Sequence, residues 1–187
     1  AGVYLALTGS RIKAEDAIFL GTANYFVHSK NFDNIVNELS QGNHPDVVIS
    51  KFQSESNKSE FEKISLLCEK FFNGGTLEEI IINLTDENSE FSNKLLSIIH
   101  TKSPTALKVA LKSLLVGAKI SFEECMKMEF RMVNKVMNDH DFYEGVRALI
   151  IDKDNQPKWN PNKIENVKND FVQEFFDLLG DNELNFD

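Results

Sequence analysis

The stretch SPTALKVALKSLLVG at Ser103–Gly117, followed by SFEECMKMEFRMVNKVM at residues 121–137, decides the fold class of this sequence. Each stretch opens on a serine, whose hydroxyl can accept an otherwise unpaired helical amide, and the first also has proline where no amide proton is needed. Apolar residues then recur at helical spacing in both stretches. The pattern predicts a helical hairpin whose first helix covers one apolar face of the second, formed by Phe122, Met126, Phe130, Val133 and Met137.

Further helix beginnings follow the same chemistry. Ser59–Glu62 and Thr76–Glu79 both read as capping boxes, in which a hydroxyl and a carboxylate three residues later satisfy amide donors. Asp141 is predicted to cap a short helix that continues to Ile151. A last helix is predicted to begin near 160–161 and to bury Val172, Phe175, Phe176 and Leu179.

These patterns predict a mainly α fold with at most one or two short strands, the only strand signal being Thr22–Val27. We divide the chain into residues 1–42, which hold a helix, a short helix, the short strand and a helix, and a polar linker or mobile region at 43–58. A C-terminal helical region follows at 59–187. Within the linker, Pro45 followed by apolar residues leaves open a short helix instead.

Composition excludes several functional classes. Hydrophobic residues make up 42% and charged residues 26% of the 187 residues, as in ordinary soluble globular proteins. A net charge of -9 and a pI near 5.0 disfavour a nucleic-acid partner. The apolar runs are shorter than the ~20 residues of a membrane helix, so no membrane partner is expected. The first residues, Ala1–Leu7, lack a basic targeting region and look like an internal point of a longer protein.

Few residues suggest chemistry of their own. Cys68 and Cys125 lie in apolar helical patterns and read as reduced core thiols. His140 and Asp141 are adjacent at a helix start, where side chains point different ways, so we do not expect a catalytic pair. Metal binding is disfavoured because the remaining histidines are scattered along the chain: His28, His44 and His100. A solvated helix face, with one capping residue, explains the carboxylates Glu123, Glu124 and Glu129.

Gly145 lies inside the predicted helix that follows Asp141. A glycine there costs roughly 1 kcal/mol relative to alanine. We therefore expect that Gly145 allows a neighbouring helix to approach closely.

Four segments, in order, resemble the crotonase superfamily: YLALTG at 4–9, SPTALK at 103–108, HDFYEGVRA at 140–148 and IDKDNQPKW at 151–159. The fourth is similar to the 3-hydroxyisobutyryl-CoA hydrolase branch rather than to typical enoyl-CoA hydratases. The resemblance implies the C-terminal helical portion of a crotonase-like fold. It also implies a parent enzyme of the mitochondrial matrix that hydrolyses an acyl-CoA thioester in valine breakdown, with acyl-CoA as substrate and no separate cofactor.

In that family the oxyanion-hole amides and catalytic carboxylates lie upstream of the segment that YLALTG resembles, so no catalytic or metal-binding residue is expected in this chain, which alone should be inactive. Two alternatives remain: a fragment of an enoyl-CoA hydratase or isomerase, and a stand-alone helical interaction or oligomerisation module. A homo-oligomer is expected, with contacts through the first helix or through Phe171–Leu179.

Lys153 is the candidate substrate-binding residue. In crotonases a lysine after the corresponding helix can meet the adenine or phosphate end of CoA, with an aromatic residue nearby. Here Leu149 stands at the aromatic position, and the spacing to Lys153 is one residue longer. A surface lysine without a ligand is the alternative reading.

Overall fold

The computed structural model describes residues 1–186 and is mainly helical. Its helices are α1 (Gly2–Thr8), α2 (Ala14–Phe19), α3 (Phe32–Ser40), α4 (Pro45–Phe52), α5 (Phe61–Phe71), α6 (Leu77–Glu87), α7 (Glu90–Ile99), α8 (Pro104–Gly117), α9 (Phe122–Val136), α10 (His140–Val146) and α11 (Asn169–Gln173). Short 3-10 helices lie at Ser29–Asn31, Ile164–Asn166, Glu174–Phe176 and Gly180–Asn182, and a π-helical turn follows α10 at Arg147–Ile151.

The chain forms two compact units. One comprises Ala1 and Ser10–Lys70, and the other comprises Gly2–Gly9 and the residues from Phe71 onward. The division at residues 42 and 58 stays a prediction. Within residues 1–186, no helix combines the length and the apolar character needed to cross a membrane.

The predicted strand at Thr22–Val27 is wrong. In the first unit only Val27 pairs in antiparallel fashion, with Gln53, and the carbonyl of Phe26 accepts the amide of Ser54 at 2.9 Å. Gln53 directly follows α4, so only a short extended segment is available as a partner. The pairing cannot extend beyond His28 and Phe52, because Phe52 ends α4 and a 3-10 helix begins at Ser29. The helix at Pro45 that the sequence left open is present as α4.

The capping box predicted at Ser59–Glu62 is also wrong. The Ser59 hydroxyl donates to Oδ1 of Asp16 at 2.6 Å and accepts the amide of Phe61 at 3.0 Å. Asp16 in turn accepts the amide of Lys13 at 3.0 Å, and that bond, followed by the one from Ser59, lowers the pKa of Asp16. A carboxylate distant in the sequence has therefore taken the hydroxyl that local spacing assigned to the helix start.

In the second unit, three predicted helix beginnings are confirmed. Thr76 accepts the amide of Glu79 at 3.2 Å, and the Glu79 carboxylate accepts the amide of Thr76 at 3.3 Å, which completes the capping box. Ser103 and Ser121 cap α8 and α9 through their hydroxyls alone, which accept the amides of Ala106 and Glu124. Glu124 differs from the prediction, since its carboxylate pairs with Lys127 at 2.8 Å and does not return to the cap.

Helices α8 and α9 follow each other as predicted, and the thiol of Cys125 lies 3.6 Å from the carbonyl oxygen of Gly117 at their junction. The apolar face predicted for α9 is not covered, however, because Phe122 is 72% and Val133 54% exposed. Helix α8 contacts α9 but packs most extensively against α1, and α9 packs most extensively against the turn at Glu174–Phe176. The buried cluster there consists of Val109, Val167, Val172 and Phe175.

The predicted last helix does not begin near residue 160. A 3-10 turn at Ile164–Asn166 comes first, and the buried Val167 then leaves helical geometry. The carbonyl of Val167 accepts the Lys108 ammonium at 3.0 Å. In a continuous helix that carbonyl would accept a backbone amide four residues later instead. Helix α11 is consequently short. Val172 and Phe175 are buried as predicted, whereas Phe176 is only partly buried.

Candidate ligand-binding region beside helix α10

Helix α10 begins at His140, which is earlier than the start that a cap at Asp141 predicted. The capping residue is Asp139, whose carboxylate accepts the amide of His140 at 2.9 Å. Asp141, predicted to be the cap, lies inside the first turn and is only 7% exposed. The prediction failed because two aspartates flank one histidine, and local spacing alone does not choose between them.

The Asp141 carboxylate connects three segments of the second unit. It accepts the hydroxyl of Ser103 at 2.5 Å and the backbone amide of Asn160 at 2.8 Å. The same Ser103 hydroxyl oxygen accepts the amide of Ala106 at 3.1 Å and so caps α8. The first turn of α10, the first turn of α8 and the chain near residue 160 therefore share one hydrogen-bonded carboxylate.

Glu144 lies one turn further along α10 and holds a second amide of the same chain segment. Its Oε1 accepts the amide of Lys158 at 2.7 Å, while both carboxylate oxygens accept Arg147 at 2.9 Å. Hydrogen bonds from Arg147 first, and then from the Lys158 amide, lower the pKa of Glu144 from 4.5 to about 2. The Glu144 carboxyl therefore stays ionised to a lower pH than a free glutamate does.

Trp159 lies between these two anchored amides. Its indole N–H donates to the carbonyl of Thr101 at 3.0 Å. Its ring passes so close to Gly145 that a β-carbon added there would meet the Cη2 atom at 3.3 Å. The expected close approach at Gly145 is therefore real, but an indole ring makes it and not a neighbouring helix.

Arg147 is the charged centre of the turn that follows α10. Besides Glu144, its Nη1 donates to Asp152 at 2.6 Å and to Asp154 at 2.8 Å, and its Nη2 donates to the carbonyl of Gln156 at 3.1 Å. The hydrogen bonds to Glu144, the largest cause, and to Asp154 and Asp152 raise the pKa of Arg147 above its ordinary value. They close the loop that carries Lys153.

Lys153 is exposed on this loop and has a left-handed backbone with φ of 56°. The π-helical turn Arg147–Ile151 lies directly between Gly145 and this lysine. A π-turn typically accommodates one residue more than the α-helical path. The one-residue longer spacing seen in the sequence therefore falls where the backbone can absorb it.

A cavity of about 1020 Å³ adjoins α10 within the second unit. Its walls come from the end of α1, from α8 and α9, and from the turn after α10. Small and apolar side chains line most of it, including Ala6, Ala106, Ala110 and Leu149. Ser103, Thr105 and Asp141 are its buried polar residues, and the hydroxyl of Thr105 has no hydrogen-bond partner among residues 1–186.

His140 does not form a catalytic pair with Asp141. The His140 ring contacts the carbonyl of Lys158 at 3.0 Å, whereas Asp141 faces Ser103. No three His, Cys, Asp or Glu side chains in the described part of the chain are placed to hold a metal ion. Glu123, Glu124 and Glu129 are exposed, as the solvated helix face predicted.

Sequence reasoning missed the roles of Arg147, Glu144 and Trp159. A signal for the first two was present, because an arginine three residues after a glutamate and five to seven residues before two aspartates can form a charged cluster. No comparable signal linked Trp159 to Thr101, which lies 58 residues earlier.

The chain belongs to the enoyl-CoA hydratase/isomerase family, whose model matches residues 1–176. Among curated proteins, it is 40% identical over 195 residues to the mitochondrial 3-hydroxyisobutyryl-CoA hydrolase of Xenopus laevis and 36% identical to that of Homo sapiens. The alignments cover 98% and 99% of this chain. The chain spans about half the length of these relatives, since each is covered over 50%.

Solved structures agree with the fold class. A carnitinyl-CoA dehydratase from Mycobacterium thermoresistibile matches with a TM-score of 0.88 and 28% identity, over 98% of this chain and 53% of the other. An enoyl-CoA hydratase from Rhodobacter sphaeroides matches with a TM-score of 0.85 and 29% identity over the same shares. The predicted helical portion of a crotonase-like fold is confirmed.

The two aspartates of α10 predict different losses of stability. We expect Asp139→Ala to cost about 0.5 to 2 kcal/mol, as for other helix caps. Asp141→Ala should cost more, because the Ser103 hydroxyl and the Asn160 amide each lose a partner at roughly 1 to 3 kcal/mol. Asp141→Asn keeps one acceptor and should fall between wild type and Asp141→Ala. Urea unfolding of the three variants measures these differences, and an Asp141→Ala loss no larger than that of Asp139→Ala contradicts the bridging role.

The low pKa of Glu144 predicts an acid-dependent contribution to folding. Because folding lowers this pKa from 4.5 to about 2, the contribution is fully present above pH 4.5 and is lost as the pH falls toward 2. Glu144→Gln should therefore reduce the loss of unfolding free energy across this window. Denaturant unfolding at a series of pH values measures it, with the exposed Glu165→Gln as control. Equal pH slopes for wild type and Glu144→Gln would be incompatible with the assigned ion pair.

Proposed function

We propose that this chain is part of a hydrolase that cleaves 3-hydroxyisobutyryl-CoA or a closely similar acyl-CoA thioester in mitochondria. The observation that carries the proposal is the match of 36 to 40% identity, over nearly the whole chain, with hydrolases of that name and location. The anchored segment at 140–160 supports it, because it belongs to the part of the sequence that resembles the hydrolase branch most specifically.

Within this function, the chain supplies ligand contacts and not the reacting groups. The carboxylates of α10, Asp141 and Glu144, are already bonded to hydroxyl, amide and guanidinium donors. A carboxylate with its lone pairs engaged in this way is a poor general base, which has to accept a proton from the substrate or water. We assign Lys153 as a contact for the CoA moiety. We assign no catalytic residue to the chain and no cofactor other than the acyl-CoA substrate itself.

An enoyl-CoA hydratase or isomerase is the second candidate. The family model carries that description, and the solved structures at 28 and 29% identity include an enoyl-CoA hydratase and a carnitinyl-CoA dehydratase. Both candidates bind acyl-CoA thioesters but differ in the reaction, so the products distinguish them.

A chimeric enzyme tests the choice. We expect that replacing the matched half of the Xenopus laevis hydrolase with this chain yields an enzyme that releases free CoA from 3-hydroxyisobutyryl-CoA, since the matched halves are 40% identical. A thiol-reactive dye measures the release. The matched control carries the corresponding half of the Rhodobacter sphaeroides enoyl-CoA hydratase.

A folded chimera without thioesterase activity would argue against the hydrolase. If it instead hydrated enoyl-CoA substrates, the second candidate would replace the first. The chain alone is expected to show no turnover, because positioned oxyanion donors supply a factor of ~100 to 1,000 each and none is assigned to it.

We also propose that the chain self-associates, through a surface that extends beyond the two segments expected from the sequence. Tyr4, Leu7 and Phe175 in those segments are buried within the chain, whereas Leu178 is 76% exposed. Exposed apolar side chains also lie on or directly after α9 and in the turn after α10, among them Phe122, Val133, Met137, Leu149, Ile150 and Ile151. Clustered exposed apolar surface of this kind favours association.

Sedimentation at micromolar concentration tests this proposal. We expect the wild-type chain to sediment as a dimer or larger species and the double variant Phe122→Lys, Val133→Lys to sediment as a monomer, because charge replaces the apolar contact. Leu66→Lys, at a position that is 76% exposed and outside the second unit, should leave the association unchanged. A monomeric wild type disproves the self-association.

A further inference from the structure

The loop after the π-helical turn is held in an unusual conformation. Both Lys153 and Asn155 have positive φ angles, 56° and 55°, which are uncommon for residues other than glycine. The amide of Asn155 donates to the carbonyl of Ala148 at 3.1 Å, and its side-chain amide donates to the carbonyl of Lys153 at 3.2 Å. A backbone in this region persists only when surrounding contacts fix it, and such positions often lie at ligand contacts.

Arg147 supplies those surrounding contacts. Asp152 and Asp154, the two neighbours of Lys153, both turn their carboxylates onto Nη1 of Arg147, at 2.6 and 2.8 Å. Glu144 holds the guanidinium from the other side with two hydrogen bonds. The arginine is thus fixed to α10 and fixes both flanks of the lysine.

The Lys153 ammonium is left available by this arrangement. Its neighbouring carboxylates are engaged with the guanidinium, and within residues 1–186 the ammonium has no ion-pair or hydrogen-bond partner. Without Arg147, two carboxylates adjacent in sequence would be free to pair with the ammonium or to repel an incoming anion. A free lysine beside two aspartates is otherwise a poor contact for a phosphate.

We propose that Arg147 is a positioning residue, which holds the Asp152–Asp154 loop so that Lys153 presents its ammonium to the phosphate groups of a CoA ligand. The proposal rests on the proposed function, which supplies the ligand class. Arg147 does not touch the ligand. It neutralises the carboxylates beside Lys153 and keeps the lysine backbone left-handed, through its hydrogen bonds to Asp152, Asp154 and the carbonyl of Gln156.

A double-mutant cycle on the full 187-residue chain tests this role. Binding of CoA is followed by NMR titration at fixed ionic strength, through the backbone amide of residue 153. Lys153→Gln and Arg147→Gln should each weaken binding by about tenfold, the size of one charge-assisted hydrogen bond. The double variant should bind no more weakly than either single variant, because both remove the same contact.

Two further variants make the result specific. Arg147→Lys should bind CoA with an intermediate affinity, because an ammonium keeps the charge but cannot hold three carboxylates in one planar fork. Lys94→Gln, which removes an exposed lysine on α7, should bind as the wild type does. This control removes the same charge from the chain, so it separates a local contact from a change in net charge.

Independent, additive losses at positions 147 and 153 would overturn the proposal, as would wild-type affinity in Arg147→Gln. If CoA does not perturb the residue-153 amide of the wild-type chain, the Lys153 contact and its positioning by Arg147 are both disproved. The hydrolase assignment is judged separately, since release of CoA by the chimera does not require that contact.

Discussion

The hydrogen bonds of the buried Asp141 carboxylate hold three segments of the second unit together. A carboxyl group removed from water is costly unless hydrogen-bond partners surround it, and here a hydroxyl and a backbone amide do so. Asp141 also lies in the first turn of α10, where the helix dipole favours negative charge. The carboxylate fixes the Ser103 hydroxyl, which in turn caps α8. One side chain therefore couples the starts of two helices to the chain at Asn160.

Sequence reasoning succeeded where the decisive contact is local. Thr76 and Ser103 cap their helices as predicted because each hydroxyl meets an amide only three residues away. It failed where a distant partner competes for the same group. Ser59 donates to Asp16, which lies 43 residues earlier, and Asp141 accepts a hydrogen bond from Ser103, which lies 38 residues earlier. Local spacing carries no information about such partners.

Periodicity likewise identified which residues share a face, but not what covers that face. Phe122 and Val133 lie on one side of α9 and stay exposed, whereas Leu107 and Leu111 of α8 are buried in a helix that packs most extensively against α1. Lys153 could be singled out from the sequence, whereas the loop that carries it could not be described. Its geometry depends on Arg147 contacting three carboxylates and on a π-helical turn, and neither follows from hydrophobic pattern or capping signals.

The segment at 158–160 shows why α10 carries two acidic residues three positions apart. An irregular segment has no ladder to satisfy its amides, so side chains must do so. The backbone amide of Lys158 donates to Glu144 and that of Asn160 donates to Asp141, so the segment runs antiparallel to the helix. Because Trp159 projects between the two anchored amides onto Gly145, the absence of a side chain at that one helical position completes the fit.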